Sequence, residues 1–390
     1  MDRRIYFDHA ATTPTDPRVV SAMLPYLTSA WGNPSSIYAE ARAARKGLDD
    51  ARRTVAGVLR CKPNEVVFTS GGTEADNLAL RGAATAARGR GDHIITTAIE
   101  HHAVLHACDA LAKEGFRVTY LPVDGEGFVD LDALRAALDD RTVLVSIMYA
   151  NNEAGTVEPV AEVARIVKAY GPHIAVHTDA VQAAGALDLD VDALGVDLLS
   201  IAAHKLYGPK GVGALYVRQR TPLAPQAVGG SQERNRRAGT ENVAGAVGLA
   251  TALRLASDER SARTAHVAAL RDRLLDELPR RVPGTIVTGP RDGAQRLPNS
   301  ASFAFEYVEG EAVLLQLDLL GIAASSGSAC TTASLEPSHV LVAMGVPERY
   351  LRGSLRLTLG HENTMADVEY LLDVLPPAVA KIRALAPAAR

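Results

Sequence analysis

The 390-residue chain is 47% hydrophobic and 22% charged, with 41 Lys plus Arg against 45 Asp plus Glu and a formal net charge of −4. That balance leaves no electrostatic footprint for direct binding of nucleic acid or of an anionic membrane surface. No window approaches the ~20 apolar residues of a spanning helix, and the N-terminus MDRRIYFDHAATT lacks a hydrophobic signal core, so a cytoplasmic protein is expected.

Three cysteines, Cys61, Cys108 and Cys330, are too few and too scattered for a disulfide framework or a CxxC metal site. In chain order, β-branched runs at 65–70, 92–99, 116–123, 142–150, 173–180, 196–202 and 213–217 read as buried strands. Amphipathic stretches such as AVLHACDALAKEG and VAEVARIVKAYG separate them, each closing on a glycine. Strand, helix, strand in series predicts a mostly parallel sheet covered on both faces. From 243 to 280 the pattern becomes one long helical region, broken weakly near Ser257. Looser strands follow at GTIVTG, NSASFAFEY, GIAASSGS and SLRLTLG, suggesting a smaller α+β domain.

Ligands of open α/β sheets sit outside the carboxyl ends of the strands, and three segments there bear chemistry. In FTSGGTEADNLAL a strand runs through Gly71, Gly72 and Thr73 into a helix, an arrangement whose free amides suit a phosphate. A capped strand-to-helix turn explains it as well, and neither a P-loop nor a dinucleotide fingerprint is present. In HTDAVQ, Asp179 and Gln182 follow a buried strand. A carboxylate there needs a cation, or else caps the next helix. In SIAAHKLYGPKG, His204 and Lys205 end a strand, where a lysine loses its proton readily and can form a Schiff base. Taken singly, that lysine reads as a surface residue. Together, an amine, an acid and a phosphate cradle are what pyridoxal phosphate requires.

These residues sit among GNPSS at 32–36, EHHAV at 100–104, NNEAG at 151–155, RAGTEN at 237–242 and SSGSACTTASLEPSHVL at 325–341. From YFDHAATTP to SLRLTLG the chain resembles the pyridoxal-phosphate cysteine desulfurases of the class V aminotransferase group, in their long-loop branch. The resemblance implies an α/β protein of PLP-dependent transferase fold type I. Its large domain would span 16–257, and a small domain of 1–15 plus 258–390 would carry the cysteine loop. It also implies that Lys205 holds the cofactor, Asp179 pairs with the pyridinium and Gln182 bonds the ring oxygen, while His101 stacks on the ring and relays protons. Gly72, Thr73 and His204 would bind the phosphate, and Thr240 that of a neighbouring subunit. Asn33, Asn152 and Arg356 would bind the substrate carboxylate or orient the reacting group, Arg356 because a guanidinium grips a carboxylate bidentately. Asn152 would also touch the cofactor. Alanine at 202 stands where several relatives place a phosphate-binding serine, and His9 where they often have asparagine or tyrosine.

Cys108 lies on an apolar helical face and reads as an inert core thiol, and Cys61 as incidental; Cys330 lies among polar residues with no periodicity to bury it. The expected reaction takes L-cysteine to L-alanine and a persulfide on Cys330. A homodimer would then pass the sulfur to an acceptor protein for iron–sulfur assembly or thiolation. Selenocysteine lyase, or another class V lyase, is the alternative. His102 and His106, at i and i+4, raise a zinc hydrolase; without HExxH they read as surface or structural histidines, and no metal is expected. A non-catalytic scaffold predicts loss of Lys205 or Cys330, and both are present. Arg234, Arg236 and Arg237 read as an intersubunit or acceptor-docking face.

Overall fold

The computed structural model describes residues 4–327 and 336–385. Strands β1 (Ile5–Tyr6), β2 (Val66–Thr69), β3 (His93–Thr97), β4 (Arg117–Leu121), β5 (Thr142–Ser146), β6 (Ala175–Asp179), β7 (Leu198–Ala202), β8 (Gly213–Val217), β9 (Thr285–Val287), β10 (Ser300–Phe305), β11 (Ile322–Ala323) and β12 (Ser354–Thr358) form three sheets. The largest has the order β2-β8-β7-β6-β5-β3-β4. Its strands run parallel except β8, which lies antiparallel to both β2 and β7. Strands β5 to β8 are buried throughout, as expected of strands covered on both faces. The helix Gly72–Ala87 packs across β5, β6, β7 and β8 on one side, and apolar clusters cover both faces.

The long helical region is two helices, Val243–Asp258 and Arg260–Arg281, separated at Glu259, close to the weak point at Ser257. Asn242 caps the first, its Oδ1 accepting from the Gly245 amide at 2.9 Å. Beyond it, β9, β10 and β12 form an antiparallel sheet of order β12-β10-β9, with its own core from Val267 to Val379. Ile5 and Phe7 belong to that second core, because β1 pairs in parallel with β11.

Two expected strands are shorter than their apolar runs. Beyond Ser146 the chain still donates from Ile147 and Tyr149 to the carbonyls of His177 and Asp179, until the Asn151 side chain accepts the Glu153 and Ala154 amides and starts a turn. Among the described residues of GIAASSGS only Ile322–Ala323 is strand; two serines end the apolar alternation, and Gly327 takes a φ of +94°.

The segment carrying RAGTEN is anchored by a buried ion pair. Arg52 Nη1 and Nη2 each meet a Glu233 carboxylate oxygen at 2.7 Å; Nη1 also donates to the Val66 carbonyl, and Glu233 accepts from the Phe68 amide. Removing one partner strands a buried charge, so Arg52→Ala or Glu233→Ala is expected to cost about 3–5 kcal/mol. Denaturant unfolding checks this, and a double variant should recover part of the loss.

Candidate active site

Four adjacent strands, β7, β6, β5 and β3, empty into one cavity of about 300 Å³ beyond their carboxyl ends. From β7 come Ala202, His204 and Lys205; from β6, Asp179, Val181 and Gln182; from β5, Met148, Ala150, Asn152 and Glu153; from β3, His101 and His102. The sheet turns its connection order between β5 and β3, and such a switch point opens a crevice. Gly72 and Thr73 line the wall below, while Gly327, His339 and Arg356 come from the second sheet's side of the chain.

Lys205 Nζ donates to the carbonyls of Ala10 and Ala11, at 2.5 and 2.8 Å, and Gln182 Nε2 to Ala10 at 3.1 Å. The amine is therefore held against the N-terminal segment, whose Thr13 amide in turn donates to the His204 carbonyl. Asp179 is 6% exposed. Burial raises its pKa to about 6, opposed by the Val181 amide, which donates to Oδ1 at 2.8 Å, and by the Lys205 charge. It thus caps the following turn, as one of the two sequence readings expects.

His101 caps the helix His102–Lys113, its Nδ1 accepting from the Ala103 amide at 3.1 Å. A neutral ring so placed carries its proton on Nε2. Burial, then the charges of Lys205 and three nearby histidines, lower its pKa to about 4. His204 is lowered to about 4 as well, by burial and then by Lys205 and Lys210, and its Nδ1 lies 3.2 Å from Thr12 Oγ1.

Arg356, on β12, is already engaged. Nη2 meets Asp8 Oδ1 at 2.8 Å, Nη1 donates to the Asn152 and Gly327 carbonyls at 2.9 and 3.2 Å, and Nε has no hydrogen-bond partner among the described residues. Glu153 Oε2 accepts from Ser338 Oγ at 2.5 Å and lies close enough to Gly327 that a Cβ there would come within 3.1 Å of it.

His101, Asn152, Asp179, Gln182, His204, Lys205, Gly72, Thr73 and Arg356 therefore share one cavity. Asn33 and Thr240 do not. Asn33 is exposed and accepts from the Ser35 amide at 2.9 Å, and exposed Thr240 lines a separate hollow with Ser70 and Arg237. Cys330 lies outside the described residues. Burial pushes Cys61 and Cys108 up to about 12, far from a reactive thiolate. The rings of His106 and His339 flank His102 at 5.0 and 4.8 Å, and among the described residues no group of three metal-ligating side chains is found.

Sequence reasoning missed Asp8, Ala10, Ala11, Asp76, Glu153 and His339. The two alanines act through backbone carbonyls, which carry no side-chain signal, and Asp8 stands in YFDHAATTP, a segment that stood out only by resemblance. Asp76 and Glu153 were visible as acids in otherwise apolar or helical runs.

The residues present fit pyridoxal phosphate. No side chain caps the helix Gly72–Ala87, so its first amides are available to an anion. A Cβ at position 72 would come within 2.8 Å of Val181 Cγ2. A buried carboxylate, a lysine amine and this helix start surround a space of the right order for such a ligand. Ala202 presents a methyl group beside Gly72 and no hydroxyl.

Residues 5–371 match the aminotransferase class-V family. Similar proteins include the cysteine desulfurase IscS of Dictyoglomus turgidum, 51% identical over 387 residues, covering 99% of this chain and 97% of the relative. That of Methanosarcina thermophila is 50% identical over 386 residues, with 99% and 94% covered. A solved NifS-like protein superposes with a TM-score of 0.91 at 40% identity, covering 97% of this chain and 100% of that one. The apo cysteine desulfurase of Thermococcus onnurineus NA1 superposes at 0.85 with 27% identity, covering 97% and 95%.

Glu100, beside His101, is fully buried. Its Oε1 accepts from the Met148 amide and Thr97 Oγ1 while Oε2 has no partner among the described residues, and burial raises its pKa to about 8. Between the unfolded carboxyl pKa of about 4.3 and that value the folded chain holds the extra proton, so this residue's contribution to stability falls as pH rises through the window. Glu100→Gln is therefore expected to raise the melting temperature more at pH 8 than at pH 5, as calorimetry at the two pH values would show.

Proposed function

The chain belongs to the class-V aminotransferase family and is a pyridoxal-phosphate-dependent cysteine desulfurase, and from that premise we propose how its own residues divide the work on L-cysteine. The observation that carries the reading is the convergence of Lys205, Asp179, His101 and the uncapped helix start on one cavity that also contains Arg356.

When bound, pyridoxal phosphate supplies an electron sink for the charge left on the substrate Cα. Lys205 would hold it through Nζ, with Asp179 opposite the ring nitrogen, Gln182 at the ring oxygen and His101 against the ring face, and Asn152 would also touch it. The amides of Gly72 and Thr73, with His204, would take the phosphate. Once Nζ is free of its covalent role, Lys205 is the base for the Cα proton. His101, neutral with its proton on Nε2, is poised to pass a proton to or from sulfur. Arg356 binds the substrate carboxylate, which must compete with Asp8 for the guanidinium, while Asn152 fixes the orientation. Cys330 Sγ bonds to the substrate sulfur as the Cβ–S bond breaks; the electron pair stays on carbon, protonation completes alanine, and the sulfur remains as a persulfide.

The same reading divides the chain into a large unit, 16–257, and a small one, 1–15 plus 258–390. In support, the cores are separate, and Ile5 and Phe7 pack with 267–379. It also makes the protein a homodimer in which Thr240, outside this chain's cavity, would serve that of a second copy. Exposed Leu24, Leu27, Trp31, Ile37 and Tyr38 beside Asn33 are apolar enough for such an interface. An acceptor protein would then collect the sulfur. Among the described residues no helix is long and apolar enough to cross a membrane.

Purified protein is expected to show a visible absorbance band that Lys205→Ala abolishes, and to release alanine and sulfide from L-cysteine with a thiol reductant. Cys330→Ala should keep the band and lose sulfide release. A band without cysteine turnover would move the substrate to another amino acid, and no band would sink the reading. Arg356→Ala should raise KM about 10- to 100-fold, the cost of a charge-assisted contact, while leaving the band in place.

A further inference from the structure

One buried acid of the cavity has no task in this scheme. Asp76 sits in the helix Gly72–Ala87, is 1% exposed, and reaches the cavity beside Asp179. Its Oδ1 is buried and has no hydrogen-bond partner among the described residues. The two carboxyl groups lie within hydrogen-bonding reach of one another, and two carboxylates in contact cannot both ionise.

We propose that Asp76 is a positioning residue of the cofactor site: its carboxyl group donates a proton to the Asp179 carboxylate, so that the pair carries one negative charge, aimed at the ring nitrogen.

The surroundings leave that proton nowhere else to go. On β6, His177 Nε2 lies 3.6 Å from Asp76 Oδ1, but both its ring nitrogens are engaged, with Ser146 Oγ at 2.8 Å and Ser200 Oγ at 3.0 Å. Full burial keeps that ring neutral, its pKa lowered to about 3. From β7 Ser200 Oγ is engaged with His177, and Glu100, beyond the end of β3, adds a further acid rather than a cation. Lys205 lies on the Asp179 side. Burial first, then the Asp179 charge, hold Asp76 well above the ordinary carboxyl range. A neutral acid donating to Asp179 lowers the cost of keeping that carboxylate charged and fixes which way it faces.

The proposal rests on Asp179 facing the ring nitrogen, and the test separates the two. In infrared difference spectra of apoprotein at neutral pH, Asp76→Asn against the parent chain should lose a carboxylic-acid C=O band; loss of a carboxylate band instead would overturn the proposal. Titration of apoprotein with pyridoxal phosphate, followed by fluorescence, should give Asp76→Asn a Kd within about twofold of the parent, because the amide still donates, and Asp76→Leu one at least about tenfold weaker. Parent affinity in Asp76→Leu would overturn it. If Asp76→Leu does not fold, the infrared result on Asp76→Asn decides. Parent affinity in Asp179→Asn would remove the assignment of Asp179, while the infrared band would still decide the protonation of Asp76.

Discussion

Asp179 stands 6% exposed at the carboxyl end of a central strand, where a backbone amide and the Lys205 amine oppose the penalty of burying its charge. The amine must stay close enough to help and yet be free to react. The fold holds Lys205 Nζ against two neutral acceptors, the carbonyls of Ala10 and Ala11. Adjacent parallel strands supply the spacing, since β6 and β7 end side by side.

The N-terminal segment is therefore as much part of the site as any strand end. It enters through β1, pairs with β11, places Asp8 on Arg356 and lays its carbonyls over Lys205. Arg356 reaches the same place from β12 and also holds the carbonyls of Asn152 and Gly327. One guanidinium thus joins the loop after β5, the N-terminal segment and the approach to the cysteine loop. Loss of that contact would loosen three segments at once, and a substrate carboxylate arriving there would be sensed by all three.

The large sheet was legible because its strands are continuous β-branched runs, and the site because Gly72, Asp179 and Lys205 each follow such a run. Apolar runs overstate strand length, however: 142–150 and 321–328 leave the sheet where an Asn side chain or a glycine offers the backbone a turn. The reversed direction of β8 could not be read, since a strand's pattern is the same in either direction. Contacts made by main-chain carbonyls were invisible for the same reason that alanines were unremarked. Asn33 and Thr240 could be assigned only through resemblance, and one chain by itself leaves them exposed.

What the cavity gains from its buried groups is a small set of usable charges. Of the histidines lining it, His101 and His204 are held neutral by burial, as is His177 behind it, and the buried acids Asp76, Glu100 and Glu153 are pushed toward their protonated forms. Lys205, Asp179 and the Arg356–Asp8 ion pair are then the groups left to meet a ligand's charges. A dianionic phosphate and a substrate carboxylate entering this space meet an uncapped helix start and a guanidinium instead of a field of competing anions. Acids and bases silenced by desolvation leave each remaining charge with one partner to recognise, and that is how a mostly apolar cavity can hold a polar, triply functional ligand in a single orientation.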